Sequence, residues 1–285
     1  MKKISVVLVL VSVLLMISQS FSTNGTYLNG FSAISIGRGG LSYGFYDSPI
    51  LIMRDPAAIS FMPTSLEGNF SLLIPGLHFK NALNDKEGET KYFPMGDLVF
   101  VNRYQDSNWN WGFGVFTQGG MGADFKLKNS LFRDQNGNYI LQDYHSKFGV
   151  IEAGPSISFK GGENISIGAS VHLLYGQMEM KMPYSLSPSV MMGVAMPGLT
   201  FGQLFGSPMS QGGLGYTEVT AYADMRDVNG FGVSGTVSAQ YKVSGRVTVG
   251  AGFTSNSSLK LRDGTATMDM TAQFNDAADG NNQSR

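Results

Sequence analysis

There is no cysteine in the sequence, which excludes a disulfide scaffold, a thiolate metal site, a Cys nucleophile and an N-terminal lipoprotein anchor. Charge is scarce too. Asp, Glu, Lys and Arg make up 14 % of the chain, against about 25 % in an ordinary soluble domain, which is too little to solvate a water-facing surface all round. Neither sign prevails, since 20 basic and 21 acidic residues leave a net charge of -1. A nucleic-acid partner, whose phosphates need clustered Lys and Arg, is therefore not expected. The three histidines, His78, His145 and His172, lack the spacing of a metal site, and there is no Gly-x-Ser-x-Gly elbow. His172 shares a strand face with Ser170, an arrangement open to a barrel hydrolase but more often a hydrogen-bonded wall residue. No enzyme activity, catalytic residue, metal or cofactor is expected. What is present argues against disorder: 42 % of the residues are apolar and 12 % aromatic.

The only long apolar run lies at the start. Lys2 and Lys3 precede 14 apolar-rich residues from Ile4 to Ile17, and Ser20-Phe21-Ser22 follows with small residues placed for cleavage after Ser22. This is the pattern of a secretory signal peptide over 1–22, and the run is shorter than the ~20 residues of a spanning helix. Any membrane crossing must then be made by strands.

The remainder alternates with period 2. From Ile165 to Gly176 the odd positions read Ile, Ile, Ala, Val, Leu, Tyr and the even ones Ser, Gly, Ser, His, Leu, Gly. Phe231 to Lys242 and Val247 to Thr254 behave alike. The polar faces hold small hydroxyl residues and Gly with one charge, Lys242. That suits a crowded lumen better than open water, so the apolar face is expected to look into lipid. Aromatic residues near strand ends (Trp109, Trp111, Tyr175, Phe231, Tyr241) fit interfacial girdles. The pattern predicts strands at about 65–80, 94–104, 109–128, 146–160, 165–181, 229–242 and 246–262, with alternating long and short connections. The longest connection is 182–228. Seven is odd, whereas a closed barrel needs an even count, and 263–285 is polar without a terminal aromatic strand. A C-terminally truncated chain is the expectation.

Asn29-Gly30-Phe31, Gly37-Arg38-Gly39-Gly40 and Asp55-Pro56-Ala57 resemble, in order and spacing, the N-terminal hatch of the FadL family of outer-membrane transporters. Trp111-Gly112-Phe113-Gly114, Gly119-Gly120-Met121-Gly122 and Asn229-Gly230-Phe231-Gly232 continue the resemblance through most of 24–262. It implies an all-β fold, a transmembrane antiparallel β-barrel of about 14 strands with about seven present here, and a hatch over 23–63 inside the lumen. It also implies an outer membrane of a Gram-negative bacterium, outer-membrane lipid as surroundings, a monomeric barrel, and long-chain fatty acids or aromatic hydrocarbons as cargo. Asp55 stands where the family has Asn; it accepts hydrogen bonds but cannot donate the amide pair, and it adds a charge beside Arg54.

Three elements carry the functional expectation. The hatch residues Asn29, Gly30, Phe31, Gly37, Gly39, Gly40, Asp55, Pro56 and Ala57 belong either to a lumenal plug or to a flexible leader; Ser42 in place of a third Gly rules out a dinucleotide fingerprint. Pro183 to Thr217 contains no charge. Its Met191, Met192, Met196, Leu199, Phe201, Leu204 and Phe205 form either a greasy landing site or a cap on the barrel mouth, with two short helices split by Pro197 and Gly198. Gly119, Gly120 and Gly122 interrupt the third strand, marking a curvature bulge or, as the resemblance implies, a lateral opening. The function expected is passive transport of a hydrophobic small molecule by external capture, hatch gating and lateral release. The alternative is a structural or adhesive outer-membrane barrel without transport.

Overall fold

The computed structural model describes residues 28–133 and 137–270. The expected signal peptide and the first residues of the hatch fall outside these, as do 271–285.

The first element of the described residues is a short helix α1 (Ala33–Gly37), started by a reciprocal capping box between Ser32 and Ser35. Two 3-10 helices, Pro49–Met53 and Pro56–Phe61, follow, each with Pro at its first position, where the missing N–H costs nothing. The strands then run in chain order: β1 (Ser65–Leu73), β2 (His78–Lys80), β3 (Asp85–Glu87), β4 (Phe93–Arg103), β5 (Trp109–Arg133), β6 (Tyr139–Lys160), β7 (Ile165–Leu186), β8 (Val194–Met196), β9 (Leu199–Thr200), helix α2 (Phe201–Gly206), β10 (Val219–Ser244), β11 (Val247–Thr254) and β12 (Lys260–Asp269). One antiparallel sheet holds the order β1-β4-β5-β6-β7-β10-β11, with β12 also on β10. β2 and β3 form a separate hairpin, as do β8 and β9.

The sheet is apolar outside and polar inside. Along β7 and β10 the exposed residues are Ile167, Val171, Leu173, Tyr175, Phe231, Val233 and Val237, while Ser166, Ser170, His172, Ser234, Thr236, Ser238 and Gln240 are buried. A soluble sheet has the reverse arrangement. On the exposed face Trp109 meets Phe159 (centroids 5.0 Å apart) and Tyr175 meets Phe231 (5.2 Å). Phe159 pairs with Ile167, and Tyr175 lies about 27 Å further along β7 at ~3.4 Å per residue. At the usual tilt of about 35–45° that separation spans about 19–22 Å across the sheet, somewhat short of the ~25 Å apolar band between two aromatic girdles.

The buried core lies where the N-terminal segment meets the inner wall: Ile50, Ile52, Met53, Ile59 and Met62 pack with Val99, Val101 and Phe116. Each such side chain contributes about 1.5–3 kcal/mol by leaving water. Small inner-face residues make room for it. A Cβ on Gly168 would sit 2.4 Å from the Ala57 nitrogen, and one on Gly250 would sit 2.4 Å from the Gly44 nitrogen.

Several boundaries differ from expectation. The first strand ends at Leu73, and His78–Lys80 turns into the β2–β3 hairpin. β5 reaches Arg133 and β6 starts at Tyr139, while β7 continues to Leu186 and β10 begins at Val219, so the connection placed at 182–228 narrows to 187–218. The extensions of β7 and β10 pair with each other from Val219↔Leu186 to Met225↔Met180, and both keep a period of 2: Met182, Tyr184 and Leu186 alternate with Pro183 and Ser185, and Val219, Ala221, Ala223 and Met225 with Thr220, Tyr222, Asp224 and Arg226. The stretch assigned to a polar end from 263 is strand to Asp269. Conversely the predicted strand 246–262 is broken: β11 stops at Thr254 and β12 resumes at Lys260, both on β10. Pro197 and Gly198 (φ +83°) form the turn of the β8–β9 hairpin, and they lie between two short helices as expected, a 3-10 helix at Pro188–Val190 and α2.

Candidate functional site

The ladder between β4 and β5 runs only from Arg103↔Asn110 to Leu98↔Val115. Beyond that level β4 stays paired with β1 as far as Phe93, and β5 stays paired with β6. The two strands therefore part within the sheet. A bulge marks the place: Thr117 opposes Ile151 and Gly119 opposes Val150, leaving Gln118 as the extra residue. Glycine follows because β5 must stay against β6 beyond the bulge; a Cβ on Gly120 would lie 2.8 Å from the Phe148 carbonyl oxygen, and one on Gly122 would lie 2.7 Å from that of Ser146. Side chains bridge the parting. Thr117 donates its N–H to Asp97 Oδ1 (2.9 Å), its Oγ1 donates to the Gly96 carbonyl (3.0 Å), and it accepts from Gly96 N–H (3.2 Å).

A cavity of about 420 Å³ occupies this seam. Its lining joins the two faces of the sheet: Met95 and Val150 are buried on the inner side, and Ile151 and Tyr175 are exposed on the outer. Gly119 and Gly120 line it.

Behind the bulge the inner wall carries a buried polar network. Glu152 Oε1 accepts from Ser234 Oγ (2.9 Å) and is paired with His172 Nδ1 (2.7 Å), and Oε2 accepts from Gln118 Nε2 (2.9 Å). The Gln118 carbonyl accepts from Leu28 N–H at 3.3 Å, so the N-terminal segment touches the bulge. Among the described residues Ser170 Oγ and His172 Nε2 have no hydrogen-bond partner, so they are not bonded to each other, and the two do not form a Ser/His pair. Glu152 was missed from sequence; its signal is a lone charge at the same parity as Gly154, Ser156 and Ser158.

Asp55 is fully buried. Its carboxylate accepts from Ser238 Oγ (2.7 Å), Gln240 Nε2 (2.6 Å) and Gly44 N–H (3.4 Å). Ser238 Oγ in turn accepts from Ala57 N–H (2.9 Å), and Ser166 Oγ donates to the Ala57 carbonyl (2.7 Å). Burial pushes the Asp55 carboxyl up, with these donors opposing it. The Arg54 guanidinium feels Glu152. Of the other residues expected to form the hatch, Phe31 is buried edge-on to Phe116, 6.1 Å between centroids. Gly30 (φ +125°) and Gly40 (φ +85°) adopt backbone open to Gly, with Gly40 tight against Asn29. Gly37 and Gly39 face open space, and Pro56 starts its 3-10 helix.

The loop at 187–218, expected to be external, divides the residues expected to act together. Phe205 is buried with Tyr216 and Val219, and Met191 packs against them. Met192, Met196 and Phe201 remain exposed, Met192 at 93 %. Leu199 and Leu204 are half-buried. A Thr200–Gln203 capping box starts α2.

Among the described residues no helix is long and apolar enough to cross a membrane. Solved structures share the fold: the toluene transporter TodX of P. putida (TM-score 0.55, 20 % identity, covering 85 % of this chain and 62 % of that one) and the CymD monoaromatic hydrocarbon channel (0.52, 16 %, 81 % and 54 %). A FadL homologue of Pseudomonas aeruginosa is likewise similar (0.52, 16 %, 79 % and 51 %). The chain thus spans less than two thirds of the length of these structures. A search of curated proteins gives no sequence match. The profile of the family described as outer membrane protein transport protein (OMPP1/FadL/TodX) matches residues 14–284. With an exposed apolar face and a polar inner wall on one sheet already in view, the chain belongs to this family of outer-membrane β-barrel transport proteins.

Proposed function

We propose that the protein passes hydrophobic compounds, such as long-chain fatty acids or monoaromatic hydrocarbons, across the outer membrane and releases them sideways through the seam between β4 and β5. The observation that carries this reading is the end of the β4–β5 ladder at Leu98↔Val115, together with the cavity whose lining joins inner and outer faces. An open ladder inside a membrane leaves backbone groups that cost several kcal/mol each unless something else satisfies them. Here Thr117 and Asp97 do so. Exposed Met192, Met196 and Phe201 supply the capture surface, since an alkyl chain gains about 0.8 kcal/mol per CH₂ on leaving water. The segment 28–63, seated on Ser166, Ser238 and Gln240, is the hatch, and the expected signal peptide delivers the chain.

The test is a reversible staple. The chain has no cysteine, so Gly96→Cys with Thr117→Cys places a single disulfide across the seam. Uptake of radiolabelled oleate and toluene by cells producing the protein should fall on oxidation and return on reduction. Unchanged uptake in a fully oxidised, correctly inserted protein would refute lateral release and favour the structural or adhesive barrel.

A further inference from the structure

We infer that Leu259 is a specificity-determining residue: it caps the lumenal entrance of the seam and sets the cross-section of the compound that reaches it. The inference rests on the transport reading above. Its basis is the break in the last strand, which that reading does not use.

β11 and β12 both pair with β10, along consecutive lengths, so they are two parts of one strand interrupted at Ser255–Leu259. Ser255 begins the departure: its N–H donates to the Gly235 carbonyl (2.8 Å), and its Oγ accepts from Gly235 N–H (2.9 Å). The following residues leave the ladder. Leu259 lies over Gly176 of β7; a Cβ there would sit 2.1 Å from Leu259 Cδ2. Gly176 is buried on the inner face, so the Leu259 side chain is turned into the lumen and Gly176 is its seat.

From that seat it reaches the bulge of β5. A second cavity, about 190 Å³, is lined by Ser257 and Leu259 on one side and by Gln118, Gly119 and Leu174 on the other. Gly119, Phe148 and Val150 line both this cavity and the seam cavity of about 420 Å³. The two spaces are thus neighbours, the smaller on the lumenal side. An apolar cavity of about 150 Å³ holds one benzene, so the inner space has room for one ring or one alkyl chain and is tight for two fused rings. Of the larger lining side chains, Gln118 is tied to Glu152, and Phe148, Val150 and Leu174 sit in paired strands, so Leu259, outside the ladder, is the one that can reset the rim.

The test compares uptake of toluene with uptake of naphthalene by cells producing the protein, with heat-modifiable migration confirming the folded barrel. Leu259→Ala should raise the naphthalene-to-toluene ratio by about tenfold, the order that pocket-size changes of this kind produce. Leu259→Phe should move it the other way. Folded variants with the wild-type ratio in both directions would overturn the filter. If the seam disulfide blocks uptake while the Leu259 variants leave the ratio unchanged, the filter alone fails; if the wild-type protein admits neither hydrocarbon nor oleate, the transport reading falls and the filter with it.

Discussion

Gln118, the extra residue of the β5 bulge, donates from its amide to Glu152 Oε2 at 2.9 Å. The irregularity of the wall is thereby tied to a buried carboxylate that also holds His172 and Ser234. Glu152→Ala takes this acceptor from the buried His172 and Ser234. Breaking such a buried network costs about 3–5 kcal/mol, and the loss should appear as a lower urea midpoint in a bilayer folding titration. Glu152→Gln, which keeps one acceptor oxygen, should lose clearly less.

The inverted sheet makes the two faces respond oppositely to change. Val171→Arg or Val237→Arg places a cation in lipid and should cost about 2–4 kcal/mol near the midplane. Ser170, one residue away on the inner face, has a buried hydroxyl without a partner. Removing an unsatisfied hydroxyl costs little or nothing, so Ser170→Ala should fold as well as the parent or better in the same titration.

Docking of the N-terminal segment should depend on pH. The Asp55 carboxyl is held above its ordinary value by burial, so the docked state binds the proton more tightly than the undocked one. Its contribution is then largest below the ordinary carboxylate pKa of about 3.9 and falls as pH rises through the raised docked value. Protease cleavage within the segment, followed from about pH 4 to 8, should accelerate with pH. Asp55→Asn should flatten that profile, since no charge remains to be buried.

The alternation around Ile165–Gly176 and Phe231–Lys242 sufficed to place the outward apolar face, because side chains of a strand between lipid and lumen must switch every residue. Along the extension of β10 the alternation continues, with Val219, Ala221, Ala223 and Met225 between Thr220, Tyr222, Asp224 and Arg226. Ala is a weak apolar marker and the polar positions now carry charge, so a reading of the pattern starts the strand too late. The break before β12 had a local trace in four consecutive small polar residues, Ser255 to Ser258, but the pairing that pulls Leu259 inward depends on β7 and β10, distant in sequence. Gly119 and Gly120 announced an irregularity; that β4 parts from β5 beside it is a property of register, which no single strand records.

The external loop offers the sharpest contrast between two residues that the sequence alone groups together. Met192 is almost fully exposed, whereas Phe205 is buried against Tyr216 and Val219. A carboxylate at 192 meets water and disturbs no packing, so Met192→Asp should leave folding within about 0.5 kcal/mol of the parent. If the exposed face captures cargo, that same carboxylate must lose its water beside an alkyl chain without a partner, which costs several kcal/mol. Affinity for a fluorescent fatty acid should then fall at least tenfold. Phe205→Asp strips the loop of its own core and should cost about 3 kcal/mol or more of local stability, seen as rapid proteolysis between residues 187 and 218. Affinity unchanged in Met192→Asp and in Phe201→Asp, with the loop intact, would show that this surface takes no part in capture.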